Sequence, residues 1–232
     1  MAAFVEIEDL IKQYSGKWAL RGISLNVLPG RVVGVLGENG SGKSTLFRIL
    51  AGVTRPTSGK VRIDGMPVGI QTKRIVSYLP EIDPFYPWMR VGELLRFLSS
   101  FFPRWDYHRT SELLSLMNLP ADEKVGALSR GQRGRLKVVF AFSWPSALLL
   151  MDEPLGGIDK PSRKRILNAL FGDYKNQEQT ILISTHLVPE VEGYIEDVVY
   201  MRDGEFVLSG PVASLCEDTD KTLTEIFEEV AA

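Results

Sequence analysis

Three observations predict an α/β fold built on a mainly parallel sheet for this chain of 232 residues. A short apolar, β-branched run at 31–36 leads through a glycine-rich turn into a segment at 46–50 with helical apolar spacing. Apolar runs at 148–151 and 181–184 are separated by a helical pattern at 161–174, which argues for parallel strands joined by a crossover helix. Between these two halves, from Pro84 onward, the texture changes from β-rich to helical.

The elements follow in order. Runs at 4–7, 23–27, 32–36, 61–64 and 75–79 read as short strands separated by Gly, Pro and Asn turn signals. Stretches 91–101 and 110–117 carry apolar residues at helical spacing, with Pro103 and Pro120 marking breaks, and a helical pattern resumes at 129–142. Near the end, 198–208 alternates around Asp203-Gly204, a strong hairpin signal, and 222–230 reads as a short amphipathic helix. No long linker, internal repeat or low-complexity segment interrupts the chain.

Composition narrows the function. Hydrophobic residues make up 44% and charged residues 24%, the balance of an ordinary soluble globule. A formal charge of −2, with Lys and Arg scattered, gives no basic field for duplex nucleic acid, so none is expected as a partner. The single Cys216 rules out an intrachain disulfide framework, and the chain starts with no charged and apolar leader, so a reducing cytoplasm is expected. The apolar stretches 140–144 and 147–151 are broken by Pro145 and Asp152, far short of a membrane span, and any membrane role is expected to be peripheral.

The glycine-rich turn is Gly37-Glu38-Asn39-Gly40-Ser41-Gly42-Lys43-Ser44-Thr45, which fits the pattern G-x-x-x-x-G-K-[ST] at every fixed position. Glycines let the backbone aim successive N–H groups at phosphate oxygens, and the helix that follows adds partial positive charge at its N-terminus. Lys43 is placed to reach the β- and γ-phosphates of a nucleotide, and the Ser44 hydroxyl to ligate Mg²⁺. Further on, the apolar run 147–151 ends in Asp152-Glu153. A strand there can deliver Asp152 to the Mg²⁺ shell, and Glu153 can hold and polarise an attacking water.

Leu128-Ser129-Arg130-Gly131-Gln132, just ahead of a helical stretch, is similar to the LSGGQ signature of the ABC (ATP-binding cassette) ATPases. The order also resembles that family: phosphate loop, helical insertion, signature, acidic strand, then Ile181-Leu182-Ile183-Ser184-Thr185-His186, a strand ending in the position of the family's switch histidine. The resemblance covers essentially the whole chain. It implies a P-loop NTPase core with a mainly parallel sheet, an N-terminal antiparallel β subdomain and an inserted α-helical subdomain, divided as 1–82, 83–140 and 141–232. It further implies an ATPase that uses ATP and Mg²⁺, works with membrane-spanning permease subunits and pairs with a second ABC ATPase subunit. Such a subunit would sit in the cytoplasm against the inner face of the cell membrane.

Residue by residue, the resemblance assigns Ser129, Gly131 and Gln132 to the γ-phosphate of an ATP held mainly by the other subunit. Ser129 at a helix N-terminus suits that role physically. Asp159, in Gly156-Gly157-Ile158-Asp159, matches the loop that crosses the same interface; His186 matches the γ-phosphate contact, and Tyr14 the aromatic that stacks on adenine. The stretch Tyr78-Leu79-Pro80-Glu81 departs from the family, which usually has Gln where Glu81 stands; a carboxylate can still ligate Mg²⁺ but loses an amide donor and adds charge. Arg130 is a second departure. The aromatics Phe85, Trp88, Phe101, Phe102 and Trp105 fit either a docking groove for a permease helix or core packing. The short chain and variant signature look similar to bacterial ABC ATPases of the antibiotic-export type. Soluble ABC ATPases acting on ribosomes or DNA, and P-loop kinases, share parts of the pattern.

Overall fold

The computed structural model describes residues 2–156, 158–174 and 179–231. Strands β1 (Val5–Tyr14) and β2 (Lys17–Val27) form an antiparallel hairpin that turns through Ser15 and Gly16, with φ of 43° and 85°. Two successive left-handed residues are what a two-residue type I′ turn needs. The runs expected at 4–7 and 23–27 are therefore only the buried ends of longer strands; polar residues such as Lys12, Gln13 and Lys17 disguise the rest. β1 pairs on its other edge with β4 (Ser58–Ile63), which folds back through Asp64-Gly65 into β5 (Met66–Pro67). The order β2-β1-β4-β5 makes a four-stranded antiparallel sheet.

The second sheet has the order β10-β9-β3-β8-β7-β6. Its strands β3 (Val32–Leu36), β6 (Val76–Leu79), β7 (Leu148–Asp152), β8 (Thr180–Thr185) and β9 (Asp197–Arg202) run parallel, and β10 (Glu205–Pro211) closes one edge as the antiparallel arm of the hairpin at Asp203-Gly204. Side chains alternate between two cores. Val32, Leu36, Leu149, Met151, Ile181 and Ile183 face the helical side. Val33, Val35, Leu148, Leu150 and Leu182 face α1 (Lys43–Leu50) and the antiparallel sheet. Burial on both faces explains why these strands read as continuous apolar runs.

The helical side carries α2 (Val91–Ser99), α3 (Tyr107–Leu116), α4 (Arg130–Phe142), α5 (Lys160–Tyr174), α6 (Val188–Val191), α7 (Val212–Thr219) and α8 (Leu223–Ala231). Asp106 caps α3 by accepting from the Arg109 N–H, so this helix begins three residues before the expected 110. The expected elements do not include α7, a short helix with no fully buried residue whose Val212, Leu215 and Cys216, at i, i+3 and i+4, pack half-buried against the core. The aromatics divide. Phe85 and Phe102 pack on Phe140, and Phe102 stacks on Trp144 with ring centroids 4.7 Å apart. Trp88 and Phe101 stay exposed, at 66% and 63%. Among the described residues, no helix is long and apolar enough to cross a membrane.

Candidate functional site: a phosphate cleft and a separate signature corner

The carboxyl ends of β3, β7 and β8 meet the start of α1, the edge where open parallel sheets hold ligands. There a cleft of about 380 Å³ is lined by Ala19, Asn39, Gly40, Gly42, Lys43, Ser44, Thr45, Glu81 and Glu153. Residues from four distant parts of the chain thus share one site. The loop's tight path depends on glycine. At Gly42, φ is 113° and a Cβ would lie 2.6 Å from the Ala19 carbonyl; at Gly37, one would lie 2.3 Å from the Met201 carbonyl.

Lys43 is 5% exposed and donates to the carbonyls of Gly37 and Glu38 at 2.7 and 2.9 Å. Its Nζ stands 3.6 Å from Oε1 of Glu153, itself 8% exposed. Burial lowers the lysine pKa from its ordinary value, while Glu153 and Asp152 oppose that shift. Oε2 of Glu153 lies 3.1 Å from Nδ1 of His186, at the end of β8. The Glu153 backbone has φ of 46°, a left-handed conformation that costs a non-glycine residue about 1 kcal/mol or more. Ser184 offsets this by accepting the Glu153 N–H on both its carbonyl and its hydroxyl, at 3.1 and 3.0 Å.

Asp152 is held from helix α1 and from strands β6 and β8. Ser44 Oγ and Ser184 Oγ donate to its Oδ1 at 3.1 and 2.7 Å, and Tyr78 Oη donates to its Oδ2 at 3.3 Å. Burial, and then the Asp152 charge, push the Tyr78 phenol up to about 12. Tyr78 and Ser184 were not foreseen as site residues. They reach Asp152 because β6 and β8 flank β7, an order no local spacing reveals.

The donor set suits a nucleotide phosphate with Mg²⁺. Ser41 Oγ is buried with no hydrogen-bond partner inside the loop, and one hydroxyl–carboxylate pair, Ser44 and Asp152, stands beside the ammonium. Among the described residues, no group of three His, Cys, Asp or Glu side chains could hold a metal by itself. Any metal here would therefore need ligand oxygens from phosphate as well as protein.

Ser129, Gly131, Gln132 and Asp159 do not line this cleft. Ser129 caps α4: its Oγ accepts from the Gln132 N–H at 3.2 Å, and Gln132 Oε1 accepts from the Ser129 N–H at 2.8 Å. That capping box engages an oxygen lone pair, and the exposed hydroxyl retains its own proton to donate. Asp159 caps α5 by accepting from the Ser162 N–H at 3.0 Å, which holds its carboxyl below the usual range. The two caps are neighbours, since a Cβ on Gly131 would sit 3.8 Å from Asp159 Oδ1, and α4 approaches Ile158 closely enough that a Cβ on Gly134 would meet its Cδ1 at 2.5 Å. Gly157 of the same motif lies outside the described residues. Tyr14 ends β1, 42% exposed, with Lys12 Nζ 4.6 Å above its ring, and is not among the cleft-lining residues.

A third residue outside expectation is Lys137. Seven per cent exposed in the middle of α4, it donates to the carbonyls of Pro80 and Glu81 at 2.9 and 2.8 Å, and burial lowers its pKa. One turn earlier on the same helix, Arg133 reaches Asp83 at 3.8 Å. A lysine flanked by Leu136, Val138 and Val139, all buried, is the signal that could have exposed it.

Comparison with known proteins decides the family. The ABC transporter family profile matches residues 20–156, from β2 through the acidic strand. This chain belongs to the ABC transporter family. It is the ATP-binding and ATP-hydrolysing part of such a transporter, and the P-loop kinase alternative falls away. Among its relatives is the ABC transporter ATP-binding protein YtrB of Bacillus subtilis (strain 168), 29% identical over 201 residues, covering 86% of this chain and 69% of that one. An uncharacterized ABC transporter ATP-binding protein of the same organism, YxlF, is 32% identical over 216 residues, with coverage of 91% and 72%. A solved ATP-binding subunit of an ABC transporter superposes with a TM-score of 0.87 at 24% identity, covering 99% of this chain and all of that one, and so shares its fold. A dimeric bacterial ABC transporter cassette superposes at 0.82, also at 24% identity, over 89% of this chain and 98% of its own.

Proposed function

We propose that the cassette works as one half of a nucleotide sandwich in which each phosphate cleft is completed by the signature corner of a second ATPase subunit. The observation that carries this is the separation within one chain: the cleft of Lys43, Ser44 and Glu153 excludes Ser129, whose capped and exposed helix end is shaped to meet an anion elsewhere. Lys43 and the loop N–H groups bind the phosphates, Tyr14 carries the adenine, and Glu153 orients and deprotonates the attacking water. His186 restrains the Glu153 carboxylate from the far side. When bound, Mg²⁺ neutralises charge on the β- and γ-phosphates, with Ser44, Asp152 and Glu81 as its protein side. Asp159, beside Gly131, is set to cross the interface with the signature.

The outward partner is a permease. Tyr86, Trp88, Phe97 and Phe101 form an exposed aromatic ridge with centroids 5.0 to 5.9 Å apart, directly beyond the Glu81 loop. An apolar ridge of this kind fits an amphipathic helix from a membrane-spanning subunit, which supports a working position at the inner membrane face.

Ser129→Arg tests the divided site. The expected result is a loss of kcat of about a hundredfold or more, with ATP affinity of the isolated chain within about threefold of wild type by equilibrium binding. Wild-type turnover in this variant would remove the proposal. For Glu81→Gln, ATP binding should persist while the Mg²⁺ concentration giving half-maximal turnover rises about threefold or more, because a neutral amide is the weaker ligand for a hard cation. Superimposable Mg²⁺ titrations would show that Glu81 has no special part.

A further inference from the structure

We infer that Lys137 is a positioning residue that fastens the Glu81 loop to the signature helix, so that the two ends of the catalytic cycle move as one body. The inference deepens the ATPase assignment proposed above and rests on it for its functional meaning, but its geometry stands alone. Residues 80–83 form an irregular link between β6 and the aromatic ridge, and Glu81 itself is exposed. No strand pairing fixes that link beyond Leu79. What fixes it is α4: Lys137 donates to two consecutive carbonyls, Pro80 and Glu81, and Arg133 stands 3.8 Å from Asp83.

The spacing matters. Residues four apart lie on one face of a helix, so Arg133 and Lys137 present a short cationic strip to the loop. The same helix starts at Ser129 and is pressed onto Ile158 at Gly134, next to Asp159. A rigid helix of 13 residues therefore carries the signature serine at one end and the grip on Glu81 near its middle. With Arg130, the strip also lines a cleft of about 310 Å³ that holds Glu81, Asp83 and Glu153, which places three cations beside three carboxylates. A cation 7% exposed that donates to two consecutive carbonyls is costly to displace, because its charge and both acceptors would lose their partners together. Displacement of α4 when its tip meets a partner's nucleotide must drag Glu81 with it.

Lys137→Met keeps the length and apolar stem and removes the donors. In the nucleotide-free protein, the backbone order parameters of Glu81, Ile82 and Asp83 should fall from about 0.85 to below about 0.6, while those of β7 and β8 stay rigid. ATP affinity measured without Mg²⁺ should stay within about twofold, kcat should fall about tenfold, and Lys137→Arg, which retains a buried donor cation, should recover most of both losses. Unchanged order parameters at 81–83 in a folded Lys137→Met protein would overturn the clamp, as would a fall spread evenly over all strands. A failed divided site would show instead in Ser129→Arg and leave the nucleotide-free order parameters untouched, so the two failures are distinguishable.

Discussion

Glu153→Gln is expected to lower kcat by two to four orders of magnitude, roughly the span that a positioned general base contributes, while ATP-bound dimers accumulate and become visible by light scattering. The side-chain volume is unchanged, and Ser184 still receives the backbone N–H, so the left-handed turn at position 153 survives. What disappears is a carboxylate 3.6 Å from Lys43 and 3.1 Å from His186. Losing that negative charge beside the phosphates removes a repulsion, so ATP should bind at least as tightly as in wild type. Binding without turnover traps the sandwich. A variant that remains strictly monomeric at saturating Mg-ATP, or that turns over at the wild-type rate, would contradict the roles given to Glu153 and to the interface.

Lys43→Ala should abolish turnover and weaken ATP by about ten- to a hundredfold, the worth of one charge-assisted hydrogen bond. Isothermal titration reads this directly. The substitution has a second consequence, because Lys43 and Glu153 form a buried pair, 5% and 8% exposed, and removing one partner leaves the other charge uncompensated. A drop in melting temperature is therefore expected with Lys43→Ala alone. The double variant Lys43→Ala with Glu153→Gln should recover that stability without recovering ATP affinity. Recovery of affinity in the double variant would mean that Lys43 serves the fold and not the phosphates.

The phosphate loop was legible because its chemistry is local: glycines, Lys43 and Ser44 do their work within one turn, and spacing along the chain is spacing in the site. Asp152 and Glu153 were legible because an apolar strand that ends in two carboxylates leaves them at a sheet edge. The support of those groups was not legible. Tyr78 and Ser184 reach Asp152 from strands that neighbour β7 only through the order β6-β7-β8, a long-range property. Lys137 was hidden for a related reason, since its partners are carbonyls 56 and 57 residues away. The aromatics could not be sorted from sequence either: Phe102 and Phe101 are neighbours in the chain, yet one stacks on Trp144 and the other faces solvent. The long N-terminal hairpin shows the opposite limit, because its solvent-side polar residues broke the apolar run while the Ser15-Gly16 turn closed a pairing that shifts register between Ile7 and Leu10 and between Lys12 and Gln13.

The central claim is that no chain holds a whole active site, and an ATPase mixing series of Lys43→Ala with Ser129→Arg tests it most directly. Each variant alone should be nearly silent, one for want of its own phosphate grip and the other for want of the corner it lends. Equimolar mixing should restore about a quarter of wild-type turnover, since half the randomly formed dimers are mixed and each mixed dimer contains one intact cleft. A straight line that rises from a silent Lys43→Ala end to a fully active Ser129→Arg end would show that each chain hydrolyses ATP on its own, and the account would be wrong.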